Sequence, residues 1–418
     1  MDKDILELTI IEQRDSFENK KEFLKRSLDS NICSSKKIIV ISGIRRCGKS
    51  TLLKQISDNY SNYYYLNFED ERLIDFDYKD FNVLLEIFFK LYGEQKIILF
   101  DEIQNIFGWE KFVRRLFEDG YKIFITGSNA KLLSSEIATT LTGRNLTKQL
   151  FPFSFKEFLE YNDFEIKEIY LTKEKSKLMK HLNKYFQMGG FPEVVKSDDV
   201  DELKQLYQDT IIKDLLVRFK IRETKAFREL VLYLISNITN KISYNNLKVN
   251  LGFSSTTSVK NYVDFLEEVY LLFSLNKFDY SIKKQMNNDR KIYCIDCGLV
   301  NANSFKFTEE RGKILENIVF LELKRKNLDI YYHGGLKECD FVVKEGTKIT
   351  SAIQVCDSMD LIETRKREVS GLIDAMKSYK LKEGIIITYD TEDEFFEEGF
   401  KIQVVPIWKY LTLVMYKK

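Results

Sequence analysis

Residues 43–51 read Gly-Ile-Arg-Arg-Cys-Gly-Lys-Ser-Thr and follow directly on the apolar run Lys37-Ile-Ile-Val-Ile-Ser42. The spacing is G-x-x-x-x-G-K-[S/T], and it stands between a strand and the helical stretch Ser50-Thr-Leu-Leu-Lys-Gln-Ile56. That context separates a phosphate-binding loop from a chance match or a surface glycine turn. Gly43 and Gly48 let the backbone curl, so that N–H groups along Arg45, Arg46, Cys47, Gly48 and on to Thr51 converge on an anion. Lys49 reaches for the β- and γ-phosphates, and the Ser50 hydroxyl is a ligand for Mg²⁺. The helix opening near Lys49 turns its positive dipole end to the same point.

A second motif agrees. Lys96-Ile-Ile-Leu-Phe-Asp-Glu102 is an apolar strand ending in two carboxylates. In this chemistry the first acid holds Mg²⁺, which makes Asp101 the candidate. The second orients and polarises the attacking water, so Glu102 is the candidate general base. Two acids ending a strand are often just solvated, but these lie 52 positions beyond Lys49 in a chain that already has the loop. The reaction expected is hydrolysis of a nucleoside triphosphate by positioning and charge stabilisation, with no covalent intermediate. A third strand, Lys122-Ile-Phe-Ile-Thr-Gly-Ser-Asn129, ends in small polar residues. Ser128 or Asn129 is placed to hydrogen-bond the water or the γ-phosphate. Arg144, in Leu141-Thr-Gly-Arg144 ahead of the strand 146–151, is a candidate arginine finger. The plainer reading of Arg144 is a surface ion pair.

Composition narrows the rest. The 418 residues suffice for two or three domains. With 44% hydrophobic and 31% charged residues the chain reads as soluble and globular. No stretch is apolar for long enough to span a bilayer, so no membrane partner is expected. The N-terminus lacks a signal-peptide core, and the compartment expected is the cytoplasm. Six scattered cysteines fit a reducing compartment. Cys294-Ile-Asp-Cys297 lacks a second pair at zinc spacing and reads as structural. Net charge is +1, so the global basic excess of many DNA-binding proteins is missing.

From 37 to about 160, strands and helices alternate, which predicts a parallel α/β sheet with ligands at its carboxyl edge. A helical region follows to about 222, broken by Met188-Gly-Gly-Phe-Pro-Glu193. Helices are expected at 226–239, 244–251 and 255–270, then strands near 271–278 and 290–295. This order suits a winged helix-turn-helix, whose second helix enters a DNA major groove. Lys277, Lys283, Lys284, Arg290 and Lys291 outnumber Asp279 and Asp289 there and form a local basic patch for duplex DNA. Use of the same unit only for protein packing is the alternative. From about 308 a long helix precedes alternating strands and one more helix.

These residues resemble the prokaryotic AAA-type ATPases that join an ATPase core to a C-terminal nuclease-like domain of unknown function. The resemblance rests on residues 43–53, Leu66-Asn-Phe-Glu-Asp70, Asp101-Glu-Ile-Gln104, Ile125-Thr-Gly-Ser-Asn-Ala-Lys-Leu-Leu133, Leu141-Thr-Gly-Arg144, Phe151-Pro-Phe-Ser-Phe-Lys-Glu157, Gly189-Gly-Phe-Pro-Glu193 and residues 209–218. It implies ATP and Mg²⁺ as ligands. It implies an α/β AAA core with a helical lead-in over 1–155, a helical lid over 156–224, a winged helix over 225–300 and a restriction-endonuclease-like α/β domain over 301–418. It also implies a homo-oligomer in which Arg144 serves a neighbour's nucleotide, and it points to Pro192 as a lid residue against adenine.

The end domain looks like a PD-(D/E)XK nuclease core. Active members gather metal with a helix Glu, an Asp and an acid-x-Lys strand. Glu316 and Asp340 match the first two. Gln354-Val-Cys356 stands where acid-x-Lys belongs, and neither Gln nor Cys replaces the missing charges. A degenerate site that does not cut is expected. Three readings follow: an ATP-hydrolysing switch or motor acting on DNA or a DNA-associated partner, a nucleotide-gated scaffold for proteins, or an ATP-regulated nuclease.

Overall fold

The computed structural model describes residues 1–19, 26, 31–128, 141–166, 172–304 and 311–412. The chain divides into two compact units. One is Met1–Phe151 with Glu268–Tyr270, and the other is Pro152–Glu267 with Leu271–Lys418.

The first unit is built on strands β1 (Ile38–Ser42), β2 (Tyr64–Asn67), β3 (Ile97–Asp101), β4 (Lys122–Gly127) and β5 (Asn145–Gln149). They pair in parallel in the order β2-β3-β4-β1-β5. A parallel sheet is covered on both faces, so its strands are apolar on both sides. Ile38, Val40, Leu66, Ile98, Phe100 and Ile125 bury one face among helices Lys3–Glu18, Phe81–Tyr92 and Trp109–Glu118. Ile39, Ile41, Tyr65, Leu99 and Phe124 bury the other beneath helix Lys49–Ser57, through Leu52, Leu53 and Ile56. The first helix starts where the Asp2 side chain accepts from the N–H groups of Asp4 and Ile5. All five expected strands are present. The helix expected at 131–138 lies outside the described residues.

The second unit opens with helix Phe155–Tyr161, started by a reciprocal Ser154–Glu157 capping box. Helices Thr172–Met188, Pro192–Ser197 and Asp201–Asp209 follow. The run expected as one helix over 200–219 changes at Thr210, and Thr210–Val217 is wound as a π-helix. Such a segment leaves hydrophobic periodicity nearly intact, so the sequence pattern conceals it. Next come helices Thr224–Ser236, Tyr244–Leu251 and Thr256–Glu268 and a small antiparallel sheet. Its strands β6 (Lys241–Ile242), β7 (Leu272–Asn276) and β8 (Arg290–Cys294) run in the order β6-β8-β7. An unexpected short helix, Ile282–Asn287, forms the link between β7 and β8.

Helix Arg311–Arg325 leads into a mixed sheet of β9 (Asp329–Gly334), β10 (Glu338–Glu345), β11 (Lys348–Val355), β12 (Glu383–Thr388), β13 (Asp393–Glu397) and β14 (Phe400–Pro406). The order is β13-β14-β12-β11-β10-β9, with helix Ile362–Tyr379 packed on its centre. The β13–β14 hairpin was not expected from its acidic sequence. Its turn, Glu398-Gly399, places both residues at positive φ, which matches the twist of a tight hairpin. Among the described residues no helix is long and apolar enough to cross a membrane.

Candidate active site

β1 delivers the chain into the 43–48 loop, and helix Lys49–Ser57 begins as the loop ends. The two glycines act differently. Gly48 holds φ 97°, a left-handed turn that favours glycine. Gly43 instead permits close approach, since a Cβ there would lie 2.3 Å from the Leu150 carbonyl oxygen. Arg46 takes φ 62° without being glycine, a conformation worth attention in a loop of this kind. Arg45 pairs with Glu69 at 2.7 Å. Cys47 is buried, and burial pushes its thiol up.

Lys49 is 5% exposed and donates to the carbonyls of Gly43 (3.3 Å) and Ile44 (3.2 Å). Its ammonium also meets Glu102 Oε1 at 3.0 Å. Burial works against this charge, but the Glu102 carboxylate outweighs it and raises the Lys49 pKa. Glu102 is desolvated too, and Lys49 and Gln104 hold it below the ordinary carboxylate value. Gln104 donates to Glu102 Oε2 at 2.5 Å and lies 3.4 Å from Ser128 Oγ. Glu102 sits at φ 49° and ψ 42°, a left-handed conformation unusual for glutamate and typical of strained functional positions.

Asp101 is fully buried at the end of β3. Burial pushes its carboxyl up and Glu102 adds to this, while Ser50, Thr126 and Lys49 pull it back. Thr126 on β4 joins the two acids: its hydroxyl donates to Asp101 Oδ1 and accepts the Glu102 N–H at 2.9 Å. Among the described residues, no strict hydrogen bond reaches Asp101 Oδ2. Ser50 lies close enough to favour the ionised acid. A buried carboxylate oxygen left over beside a hydroxyl is a donor set that fits Mg²⁺. Ser50 and Asp101 also line a cavity of about 570 Å³, with Gln13, Tyr65, Asn67 and Glu69 around it.

Thr126 and Gln104 were quoted in the motifs above without a role, and Arg26 was missed altogether. Arg26 is 5% exposed and donates to the Cys47 carbonyl at 2.7 Å and the Phe151 carbonyl at 2.8 Å, bracing the loop from below. Tyr270 donates to Ser42 Oγ at 2.9 Å, at the root of the loop. Thr51 lies on the first turn of the helix, half-buried. Asn129 lies outside the described residues.

One expected residue, Arg144, is not at this site. Arg144 precedes β5, and its carbonyl accepts from the Ile38 N–H at the start of β1. In a parallel sheet that is the end opposite the loop, roughly 15–20 Å away at about 3.3 Å per residue. Its guanidinium lies 3.5 Å from Glu118. Arg144 therefore does not reach the loop of its own chain. Pro192 belongs to the second unit, where it opens helix Pro192–Ser197 as a first-turn proline.

The second unit gathers Glu316, Asp340 and Gln354 into one cluster. Lys291 corrects the surface reading of the basic patch. It is 3% exposed, with its ammonium 3.0 Å from Glu316 Oε1, 2.9 Å from Glu338 Oε1 and 2.8 Å from Asp340 Oδ1.

A model of an AAA domain matches residues 35–159, and a model of a domain of unknown function, DUF8612, matches residues 179–310. MJ1544, an uncharacterized protein of Methanocaldococcus jannaschii, is 39% identical over 434 aligned positions, covering 98% of this chain and 96% of its own. An uncharacterized protein of Haemophilus influenzae is 32% identical over 391 positions, covering 89% of this chain and 94% of its own. Among solved structures, the Walker-type ATPase PABY2304 of Pyrococcus abyssi aligns at 15% identity and a TM-score of 0.43, over 68% of this chain and 97% of that one. The loop, the paired acids and the parallel sheet thus fall within a matched AAA domain: the chain carries an AAA-type P-loop ATPase domain and belongs to the same family as MJ1544.

Proposed function

We propose that the first unit binds Mg–ATP and hydrolyses it. Lys49 and the amides of 45–51 hold the phosphates, Ser50 and Asp101 hold Mg²⁺, and Glu102 is the general base. The observation that carries this reading is the Thr126 hydroxyl, which fixes Asp101 and Glu102 to each other while leaving Asp101 Oδ2 for a cation. Bound Mg²⁺ supplies charge neutralisation between phosphate oxygens. Lys49, on turning to a phosphate, releases Glu102 Oε1, which then accepts the proton of an attacking water. Arg144, at the far end of the sheet, acts on the nucleotide of a neighbouring copy in a homo-oligomer.

The second unit is the part that acts on a target, with duplex DNA the preferred partner. The winged-helix reading of 225–300 is supported by two successive helices and a β6-β8-β7 sheet. The second helix exposes Thr256, Thr257, Lys260 and Asn261 in its first turns. The β7–β8 link exposes Tyr280, Ile282 and Met286 beside Lys283 and Lys284, a mixture of apolar wedge and cation that suits a minor groove. The nuclease-like reading of 301–418 is kept as a fold without cleavage. One observation favours a second reading, the nucleotide-gated scaffold. Both Glu102 oxygens are engaged, by Lys49 and Gln104, which suits slow turnover.

Steady-state ATP hydrolysis with Mg²⁺, across protein concentration and with or without duplex DNA, separates these readings. We expect a rate that rises with protein concentration and with DNA. Lys49→Ala should lose nucleotide binding by about 100-fold or more, and Glu102→Gln should bind ATP while turning over about 10²–10⁴ times more slowly. A Glu102→Gln rate equal to wild type sinks the base assignment. Tight binding with near-zero turnover, flat in protein and DNA, favours the scaffold.

A further inference from the structure

The nuclease-like reading of 301–418, on which this inference rests, implies a divalent metal held by Glu316, Asp340 and the residue at 354. The residues present do not fit one. Asp340 Oδ1 and Glu316 Oε1 both accept from Lys291, and Asp340 Oδ2 accepts the Val355 N–H at 3.0 Å. Gln354 accepts the Asp340 N–H at 3.2 Å and donates to Glu368 at 2.6 Å, so both ends of its amide are engaged. Among the described residues no group of three or more His, Cys, Asp and Glu side chains is arranged to hold a metal ion.

We propose that Lys291 is a built-in cation that takes the place of the metal and locks strand β8 to the carboxylates of helix Arg311–Arg325 and β10. An ammonium has three donors, and here three carboxylates stand at 2.8–3.0 Å from it, two of them accepting its hydrogen bonds and the third, Glu338, as an ion pair. The carboxylates come from two elements and the cation from a third, so the contact joins the small sheet to the large one inside the second unit. β6 strengthens the same seam, because Lys241 pairs with the other oxygen of Glu338. Tyr293, two residues along β8 from Lys291, donates to Glu316 Oε1 at 2.7 Å. Burial and Asp340 raise the Glu316 carboxyl to about 7, and Lys291 opposes that rise. The proposal does not depend on the ATPase reading of the first unit.

The test uses the full chain without nucleotide, melted in EDTA and in millimolar Mn²⁺. Wild type should melt at the same temperature in both. Lys291→Met leaves three carboxylates facing one another and should melt about 5–10 °C lower in EDTA. Mn²⁺ should restore at least half of that loss. Lys291→Met/Asp340→Asn has one charge fewer to repel, so it should melt above Lys291→Met in EDTA and ignore Mn²⁺. A wild-type Mn²⁺ shift abolished by Asp340→Asn overturns the proposal, as does plasmid cleavage by wild type that the same substitution removes. Lys291→Met melting like wild type, or losing stability with no Mn²⁺ rescue, also overturns it. Should Lys291→Met not fold, the wild-type and double-variant melts decide.

Discussion

Thr126 shows what a linear motif leaves out. Asp101 and Glu102 are legible because two acids end an apolar run at a familiar distance from the loop. The hydroxyl that spaces them comes from β4, and only the strand order β2-β3-β4-β1-β5 puts it between β3 and β1. The same holds for Arg26, whose partners Cys47 and Phe151 are distant in sequence. Thr126→Val keeps the shape and removes the hydroxyl. It takes a donor from Asp101 and an acceptor from the Glu102 amide, each in a buried setting worth about 1–3 kcal/mol. Turnover should fall about 10- to 100-fold with little change in nucleotide affinity, measured as kcat against ATP dissociation constant. An unchanged kcat would remove Thr126 from the machinery.

At the scale of elements, the Gly-Gly-Phe-Pro turn was visible as a turn, but its support was not. Gly190 has no room for a side chain, since a Cβ would lie 2.2 Å from the Phe153 carbonyl oxygen. Its N–H donates to buried Asp296 at 2.7 Å, and Asp296 also accepts the Leu299 N–H at 3.1 Å as the cap of helix Cys297–Asn303. Cys294 and Cys297, which draw attention as a CxxC pair, are free, buried thiols that burial pushes up. The residue at work in that motif is the acid between them. Burial raises the Asp296 carboxyl to about 6, against the pull of the Gly190, Leu299 and Gly298 amides. The folded chain therefore holds a proton between roughly pH 4 and 6 that the unfolded chain has released, and the stability Asp296 contributes falls as pH rises through that window. Asp296→Asn cannot ionise. Denaturation midpoints from pH 4 to 7 should show the Asn variant gaining on wild type as pH rises; a constant gap would mean Asp296 does not titrate there. The π-helix and the β13–β14 hairpin were illegible for another reason: a one-residue shift in helical pairing and a Glu-Gly turn both leave the hydrophobic pattern almost untouched.

At the scale of the whole molecule, the parallel sheet gives the first unit a direction. The loop lies at one end of β1 and Arg144 at the other, a separation that no spacing of motifs along the sequence reveals. Among the described residues Arg144 pairs with part-exposed Glu118, a contact worth about 0–1 kcal/mol, so the pair would cost little to break in the proposed service to another copy. Arg144→Ala should lower turnover about 10³-fold or more while sparing ATP binding. Mixing it with Lys49→Ala, itself inactive, should recover part of the wild-type rate, because one variant supplies an intact loop and the other an intact arginine. A mixture no more active than its components would count against service in trans.

Should Arg144 serve a neighbour's loop, as proposed, a two-fold dimer would complete two sites through one shared contact, whereas a head-to-tail contact would build larger assemblies. Copies joined this way either close on themselves or continue as an open row. A closed circle completes as many sites as it has members, whereas an open row always leaves the loop at one end unserved. In such an assembly closure would be the event that switches on the last site, and the number of working sites would be a count of junctions rather than of chains.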